Sequence, residues 1–354
     1  MKYQVAVIPG DGIGKEVVPA ARRVLDDAGD RWGFGIDWTT FEWGCEYYVR
    51  TGEMMPEGAL DRLAPHDAIF LGAVGYPGVP DHVSLWGLLI PIRRVFRQRV
   101  NYRPIRRFPG IEGPLKDSAA DIDFVVVREN NEGEYSEIGG RIYHGLAEEI
   151  AIQESVFTRR GVENVMRYAF DLAGRRAGRL VSATKSNGIV HTMPFWDEVF
   201  SDVASEYGGI ETSQVHIDAL AALFVQRPET LDVVVASNLF GDILSDLGAA
   251  IAGSIGIAPS ANLDPTRTHP SMFEPVHGSA PDIAGQGIAN PIGQIWSGAL
   301  MLDHLGQSEA ARAVVTAMGN VFASGGPRTP DLGGTAGTED VTGAVLEEMA
   351  RLSP

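Results

Sequence analysis

SNLFGDILSDLGAAIAGSIGIAPSANL, Ser237 to Leu263, sets two carboxylates, Asp242 and Asp246, four residues apart among apolar neighbours. That spacing puts both acids on one face of a helix. On spacing alone three readings stay open: a solvated helix face, compensation of the helix dipole by Asp242, or two ligands of a metal ion. Hard carboxylate oxygens suit Mg2+ or Mn2+ rather than zinc. Asp218, in QVHIDAL at the end of a β-like run, is a third acid with the same options.

Outward from this stretch the chain alternates. Leu231–Ser237 just upstream is strand-like, as are Tyr3–Ile8, Asp67–Val74, Asp123–Arg128 and Leu180–Thr184, most of them continuous apolar runs. Between the first two, Ile13, Val17, Val18, Ala21 and Leu25 recur at helical spacing. Strands buried on both faces, alternating with helices, predict an α/β chain with a largely parallel sheet. Glu134–Tyr143 and Glu148–Phe157 break the rhythm: joined around His144-Gly145 with no helix between, they predict a hairpin arm. Helical patterns dominate the end, over Gly293–Leu305, Glu309–Ser324 and Thr338–Leu352, the last with Thr338 as N-cap and Glu339 and Asp340 in its first turn.

The 354 residues suggest about two domains, and 44% hydrophobic with 21% charged residues is ordinary for a globular protein. A net charge of −17 argues against nucleic acid and anionic membranes as partners. An anionic substrate must then be met by a local basic pocket. The lone Cys45 excludes an intrachain disulfide framework and a Cys-based zinc site, and suits a reducing compartment. MKYQVAVIPG lacks the pattern of a signal peptide, and GAAIAGSIGIAPSA is Gly-rich and too short to span a bilayer, so a cytoplasmic protein is expected.

IPGDGIGKEV suggests a phosphate cradle but fits neither common pattern. A dinucleotide fingerprint needs Gly at Lys15; a P-loop needs Gly at Pro9 and Ser or Thr at Glu16. A tight turn before a helix is the better reading. Arg93, Arg94, Arg97 and Arg99 crowd one segment, followed by Arg103, and such clusters are mostly solvated helix faces. Arg128 differs, because it ends an apolar strand, where α/β sheets place ligands. Guanidinium groups capture carboxylates bidentately, which points to a small di- or tricarboxylate. Lys185, in SATKSNG, and Tyr135, at the start of the hairpin, are either ordinary surface residues or a proton-transfer pair.

Together these motifs resemble the β-decarboxylating dehydrogenase family, which includes isocitrate, isopropylmalate, tartrate and D-malate dehydrogenases. The resemblance covers essentially the whole chain and is carried by the opening stretch and by FEPVHGSAPDIAGQGIANPIGQIWSGALML, Phe273 to Leu302. It implies an isocitrate/isopropylmalate dehydrogenase-like fold, not a standard Rossmann fold. Two α/β domains would share a central, mostly parallel sheet: a larger one from residues 1–103 and 258–354, and a smaller one from 104–257 carrying a β-hairpin dimer arm at about 134–157. Asp218, Asp242 and Asp246 are implied as ligands of Mn2+ or Mg2+, and Arg93, Arg103 and Arg128 as the grip on substrate carboxylates. The residue matching Lys185 takes the hydroxyl proton through water, and the one matching Tyr135 protonates the enolate left by CO2. Lys185 and Asp218 are implied to enter the site from the partner subunit, which makes the enzyme a homodimer with shared active sites. The loop HGSAPD (His277, Gly278, Ser279, Ala280 and Asp282), with Asn290 and Asn187, is implied to bind NAD. Asp282 can accept from both ribose hydroxyls and repels a 2′-phosphate. A monovalent cation such as K+ is a further candidate cofactor.

Within the family, VPDHVSLWG, IRRVFRQRVNYRP, RENNEGEYS and IQESVFTRRGVE resemble the tartrate and D-malate branch. That implies NAD-dependent oxidative decarboxylation of D-malate to pyruvate and CO2, or oxidation of tartrate, the substrate being a small dicarboxylate 2-hydroxy acid. The chain departs from the pattern at Tyr102, where Leu is usual, at Asn131, where Thr is usual, and at Leu88 with Pro91. Leu88 and Leu89 would make the pocket more apolar, which keeps 3-isopropylmalate as an alternative substrate. A non-redox metal-dependent lyase or a carboxylate-binding protein would retain the acid–arginine site but leave HGSAPD without a purpose.

Overall fold

The chain enters through β1 (Lys2–Gly10), α1 (Gly14–Trp32), β2 (Gly35–Thr40), α2 (Cys45–Thr51), α3 (Ala59–Leu63) and β3 (Ala68–Ala73) in a computed structural model that describes residues 1–115 and 121–352. Next come α4 (Asp81–Ser84), a π-helical turn over Leu85–Leu89, α5 (Ile90–Val95) and β4 (Val100–Arg106). The middle of the chain forms β5 (Asp123–Glu129), β6 (Gly139–Ile142), β7 (Ile150–Gln153), α6 (Arg159–Gly174), β8 (Arg179–Thr184), α7 (Thr192–Ala204), β9 (Glu211–His216), α8 (Ile217–Gln226) and β10 (Val233–Ala236). It ends with α9 (Asn238–Ala252), β11 (Pro259–Leu263), β12 (Ser271–Pro275), α10 (Ile292–His304), α11 (Ser308–Ala323) and α12 (Thr338–Arg351).

Ten strands form one sheet in the order β2-β1-β3-β12-β11-β4-β5-β10-β8-β9. Its two outer blocks are parallel, as the alternating pattern predicts. The middle is not: β12, β11, β4 and β5 pair antiparallel, so the two blocks run in opposite directions. Periodicity misses β2, β4, β11 and β12, and for the central strands the reason is visible. Asn101, Ser260, Asn262, Ser271 and Glu274 are buried there although polar. They satisfy one another: Asn101 Nδ2 donates to Ser260 Oγ at 2.7 Å, and Asn130 Nδ2 to Asn262 Oδ1 at 2.9 Å. A buried polar group is tolerated when it is hydrogen-bonded, so these strands read as polar in sequence while lying in the core.

The helices follow their apolar spacing. Val17, Val18, Ala21, Val24, Leu25 and Ala28 line the buried side of α1, which stops at the left-handed Gly33 (φ 77°), whose N–H reaches Gly29 O. In α9, Ser237 is the N-cap, its Oγ accepting from Phe240 N. The fully buried Leu244 contributes roughly 1.5–3 kcal/mol there. Two glycines let α9 lie close to the sheet: a Cβ at Gly241 would stand 2.6 Å from Arg128 Cβ, and one at Gly248 2.2 Å from Ile105 Cδ1. One capping expectation is corrected. Gly337, not Thr338, caps α12; its N–H donates to Asp340 Oδ2 at 2.8 Å, while the Thr338 hydroxyl donates to Ala289 O at 2.6 Å.

The hairpin is present but shorter than its sequence pattern, with four residues in each strand and Gly139 opposite Gln153. All eight strand residues are exposed, including Ile142, Ile150 and Ile152. Among the described residues no helix is long and apolar enough to cross a membrane.

Candidate active site

Side chains alternate along a strand, so β4 sends Arg103 to the face covered by α9 and Tyr102 to the reverse. Arg128, at the end of β5, joins Arg103 under α9, and Arg93 comes from α5. All three arginines are buried, with 6%, 7% and 2% of Arg93, Arg103 and Arg128 exposed. They converge with Tyr135 and Asp242 on a cavity of about 220 Å³ that Val276 and Gly278 also line.

Burying three like charges is costly unless each is paired. Arg103 Nη1 donates to Asp242 Oδ1 (3.1 Å) and to Ser245 Oγ (2.6 Å), and lies 3.6 Å from Asp246 Oδ1. Arg128 donates through Nη1 to Asp242 Oδ1 and through Nη2 to Asn238 Oδ1 (2.6 Å). Arg93 Nη2 donates to Glu274 Oε1 at 2.8 Å, an oxygen that also accepts from Asn262 Nδ2 at 2.7 Å. The Tyr135 hydroxyl donates to Asp242 Oδ2 at 3.0 Å, with the Arg128 guanidinium 5.5 Å from the centre of its ring.

Ionisation follows from this packing. Burial alone would raise the Asp242 carboxyl, but the guanidinium groups of Arg128 and Arg103 outweigh it and hold the acid below its ordinary value. Burial, with the neighbouring Asp242 charge, raises the Tyr135 phenol, so it keeps its proton at neutral pH. Burial lowers the Arg128 guanidinium to about 10, which leaves it charged. Burial also raises Asp246.

Lys185 and Asp218 stand apart from this group. Lys185 follows β8 and Asp218 opens α8, two strands beyond β5, and they pair with each other at 2.7 Å. Neither lines the pocket. Asn187 lies in the exposed turn after Lys185. Among the described residues no three acids, histidines or cysteines of one chain gather closely enough to hold a metal ion. Asp242 and Asp246 do share one face of α9, with side chains 33% and 52% exposed, a pair of oxygen donors suited to a hard cation.

His277 and Gly278, just after β12, line the same pocket. Burial lowers the His277 imidazole, whose Nδ1 is 3.0 Å from Gly278 O. Ser279 O accepts from Ile13 N at 2.9 Å, and a Cβ at Gly12 (φ 53°) would stand 2.1 Å from that oxygen. The IPGDGIG turn therefore packs on the HGSAPD loop, and its buried Asp11 accepts from Cys45 N, Glu46 N and Gly75 N. Ala280 holds a left-handed backbone (φ 40°), Asp282 is exposed, and Asn290 Nδ2 donates to Asp331 Oδ2 at 3.0 Å.

Of the two leucines expected at the pocket, Leu89 lines it and Leu88 does not. Leu88 is fully buried in the core with Ile92; Leu85 and Leu89, four apart on one helical face, line the pocket instead. Tyr102 faces a separate cavity of about 650 Å³ on the reverse side of the sheet, where burial pushes its phenol up to about 12. Glu274, Asn238 and Ser245, which orient the arginines, were not singled out from the sequence. Glu274 sits inside FEPVHG, and its only signal is an acid in an otherwise apolar run.

The isocitrate/isopropylmalate dehydrogenase family model matches residues 4–345. A probable tartrate dehydrogenase/decarboxylase of Bacillus subtilis is 57% identical over 353 residues, 99% of each chain. The decarboxylating D-malate dehydrogenase of Escherichia coli is 56% identical, over 98% of this chain and 99% of that one. Among solved structures, isocitrate dehydrogenase from Methylococcus capsulatus superposes with a TM-score of 0.88 at 35% identity, over 98% of this chain and 99% of that one. A β-decarboxylating dehydrogenase from Thermococcus kodakarensis superposes at 0.80 with 36% identity, over 99% and 96%. The chain belongs to the isocitrate/isopropylmalate dehydrogenase family and is an enzyme of its decarboxylating-dehydrogenase class.

Proposed function

We propose that this enzyme catalyses NAD-dependent oxidative decarboxylation of D-malate to pyruvate and CO2, and oxidises tartrate, with Mn2+ or Mg2+, as a homodimer with shared active sites. The observation that carries the reading is the convergence of Arg93, Arg103 and Arg128 with Tyr135 and Asp242 on one small pocket. A concave site of about 220 Å³ with three buried cations suits a short dicarboxylate, whose two ends guanidinium forks can grip. The names of the relatives at 56–57% identity support the same substrates.

Asp242 and Asp246 would hold the divalent metal, with Asp218 of the partner subunit as a third ligand. Once bound, the metal would supply Lewis acidity at the substrate hydroxyl and carboxylate, and the nicotinamide would carry the hydride. The chain supplies the rest. Arg93, Arg103 and Arg128 orient the carboxylates. Lys185 of the partner subunit takes the hydroxyl proton through water. Tyr135, protonated at neutral pH, donates to the carbon vacated by CO2. His277, Gly278, Ser279, Ala280, Asp282, Asn290 and Asn187 would bind the cofactor, with Asp282 favouring NAD over its 2′-phosphate analogue. The division into residues 1–103 with 258–354 against 104–257, and a cytoplasmic location, belong to the same proposal.

NADH absorbance at fixed NAD and Mn2+ tests it, with D-malate, tartrate and 3-isopropylmalate as substrates. D-malate or tartrate is expected to give the highest kcat/KM; no NADH from any of the three rejects the dehydrogenase reading. The apolar lining by Leu85 and Leu89 favours a second outcome, preference for 3-isopropylmalate, which the same panel would reveal.

A further inference from the structure

Arg94, Arg97 and Arg99, conspicuous in the sequence, take no part in the substrate pocket. Glu129 follows Arg128 on β5 and so points to the opposite face of the sheet. There it lines a separate cavity of about 290 Å³ with Arg94, Arg97, Arg99, Arg160 and Asn164. Arg160 belongs to the first turn of α6, some 60 residues along the chain from the other arginines. The four cations are brought together by the tertiary fold, unlike the arginines of a solvated helix face.

Arg94 is engaged, pairing with Glu137 and donating to Tyr135 O at 3.2 Å. Among the described residues no carboxylate lies within ion-pair distance of Arg97, Arg99 or Arg160, while Arg94 takes Glu137 and Arg159, next to Arg160, takes Glu198 and Asp202. The two acids on the lining are engaged by backbone N–H groups and by the Thr158 hydroxyl. Glu129 accepts from Asn131 N (2.8 Å) and Glu132 N, and Glu132 accepts from Thr158 N (2.8 Å) and Oγ1 (2.7 Å). Burial pushes the Glu129 carboxyl up to about 7, which weakens its claim on the arginines.

The arginines are also held in place. Gln98 between them is fully buried, its Nε2 donating to Pro270 O at 2.9 Å and its backbone N to Arg93 O at 2.8 Å. Asn130 N donates to Arg99 O at 3.1 Å. Arg97 keeps a left-handed backbone (φ 50°), a strained state for a side chain of its size and one that concentrates at ligand sites. The buried Asn164 Nδ2 on the lining has no partner among the described residues. Like charges fixed together without counterions repel, and an anion relieves that repulsion.

We propose that this cavity binds a phosphate or diphosphate group, gripped by Arg97 and Arg99 from one side and Arg160 from the other. Guanidinium forks match phosphoryl oxygens bidentately. Free pyrophosphate and the diphosphate of a nucleotide share this chemistry.

Calorimetric titration of the full-length enzyme with inorganic pyrophosphate, at ionic strength held constant with NaCl, tests the site. Binding is expected, weakened at least about tenfold in Arg97→Ala and lost in Arg160→Glu, with Arg128→Ala close to wild type. Arg97 and Arg160 are exposed, and a thermal melt on each variant verifies that it is folded. The proposal is overturned if pyrophosphate does not bind, or if folded Arg97→Ala and Arg160→Glu retain wild-type affinity, whatever Arg128→Ala does. Titration with ADP assigns the source. An ADP affinity above that of pyrophosphate and sensitive to Arg97→Ala supports a nucleotide; an insensitive one supports the free anion.

Discussion

At Asp242 two opposing effects meet: burial favours the protonated acid, and two guanidinium groups favour the anion and win. The Tyr135 proton that faces this carboxylate is thereby held where the proposed chemistry uses it. Tyr135→Phe keeps the ring over Arg128 and removes only the proton. It is expected to lower kcat about 10²–10⁴-fold with little change in KM, and a kcat within about threefold of wild type would remove Tyr135 from the reaction. Glu129 offers a test by stability. Its folded-state value, about 7, lies above its ordinary 4.5 because it is buried, so the folded chain keeps a proton that the unfolded chain has released. The stability this contributes is fully present below about pH 4.5 and is lost as pH rises through about 7. Glu129→Gln should flatten the fall in unfolding free energy between these limits by up to about 3 kcal/mol, measured by denaturant titration across pH. An unchanged slope would mean that Glu129 titrates normally.

At the scale of elements, α9 acts as a lid on the arginines, and its seating depends on Gly241. A methyl there would meet Arg128 Cβ and Cγ at 2.6 Å, so either the helix or the arginine must move. Gly241→Ala is expected to cost about 1–3 kcal/mol of stability and to raise the substrate KM at least about tenfold, since the displaced residue is a proposed carboxylate ligand. Thermal melts and steady-state kinetics check both effects; an unaltered KM would show that the helix yields without disturbing Arg128. The same scale shows which elements were legible. The strands β3, β5 and β8 carry uninterrupted apolar patterns, and their sequence bounds agree with the structure to within about two residues. The helical spacing from Ile13 to Leu25 marks only the first part of α1, which runs on to Trp32. The strands β4, β11 and β12 were not legible, because Asn101, Asn262 and Glu274 face inward and bond across strands. Asn101 and Asn262 stand 161 residues apart, so no local window contains both partners of that bond.

Across the whole molecule, one chain gathers the arginines, Tyr135 and Asp242, while Lys185 and Asp218 pair elsewhere. Shared sites in a homodimer would reunite them. The hairpin points the same way: two isolated strands are marginal in water, and Ile142, Leu146, Ile150 and Ile152 lie uncovered on it. Ile142→Glu with Ile152→Glu should shift the enzyme toward monomer in sedimentation and reduce turnover in parallel. Mixing the inactive Lys185→Ala and Tyr135→Phe chains should restore about one quarter of wild-type activity, since half the dimers are mixed and each holds one intact site. No recovery in verified mixed dimers would place Lys185 in its own chain's site.

The sequence by itself determined the α/β alternation, the family and the identity of the residues proposed for the site. Apolar spacing and long motifs are local properties that one chain displays directly. Only the tertiary structure decided the antiparallel centre, the pairing of Arg103 with Asp242 across 139 residues, the burial of Leu88 and the separation of Lys185 from Tyr135. Those outcomes depend on register and on which buried polar groups satisfy one another. Both are set by contacts between distant segments, and residue spacing does not encode them.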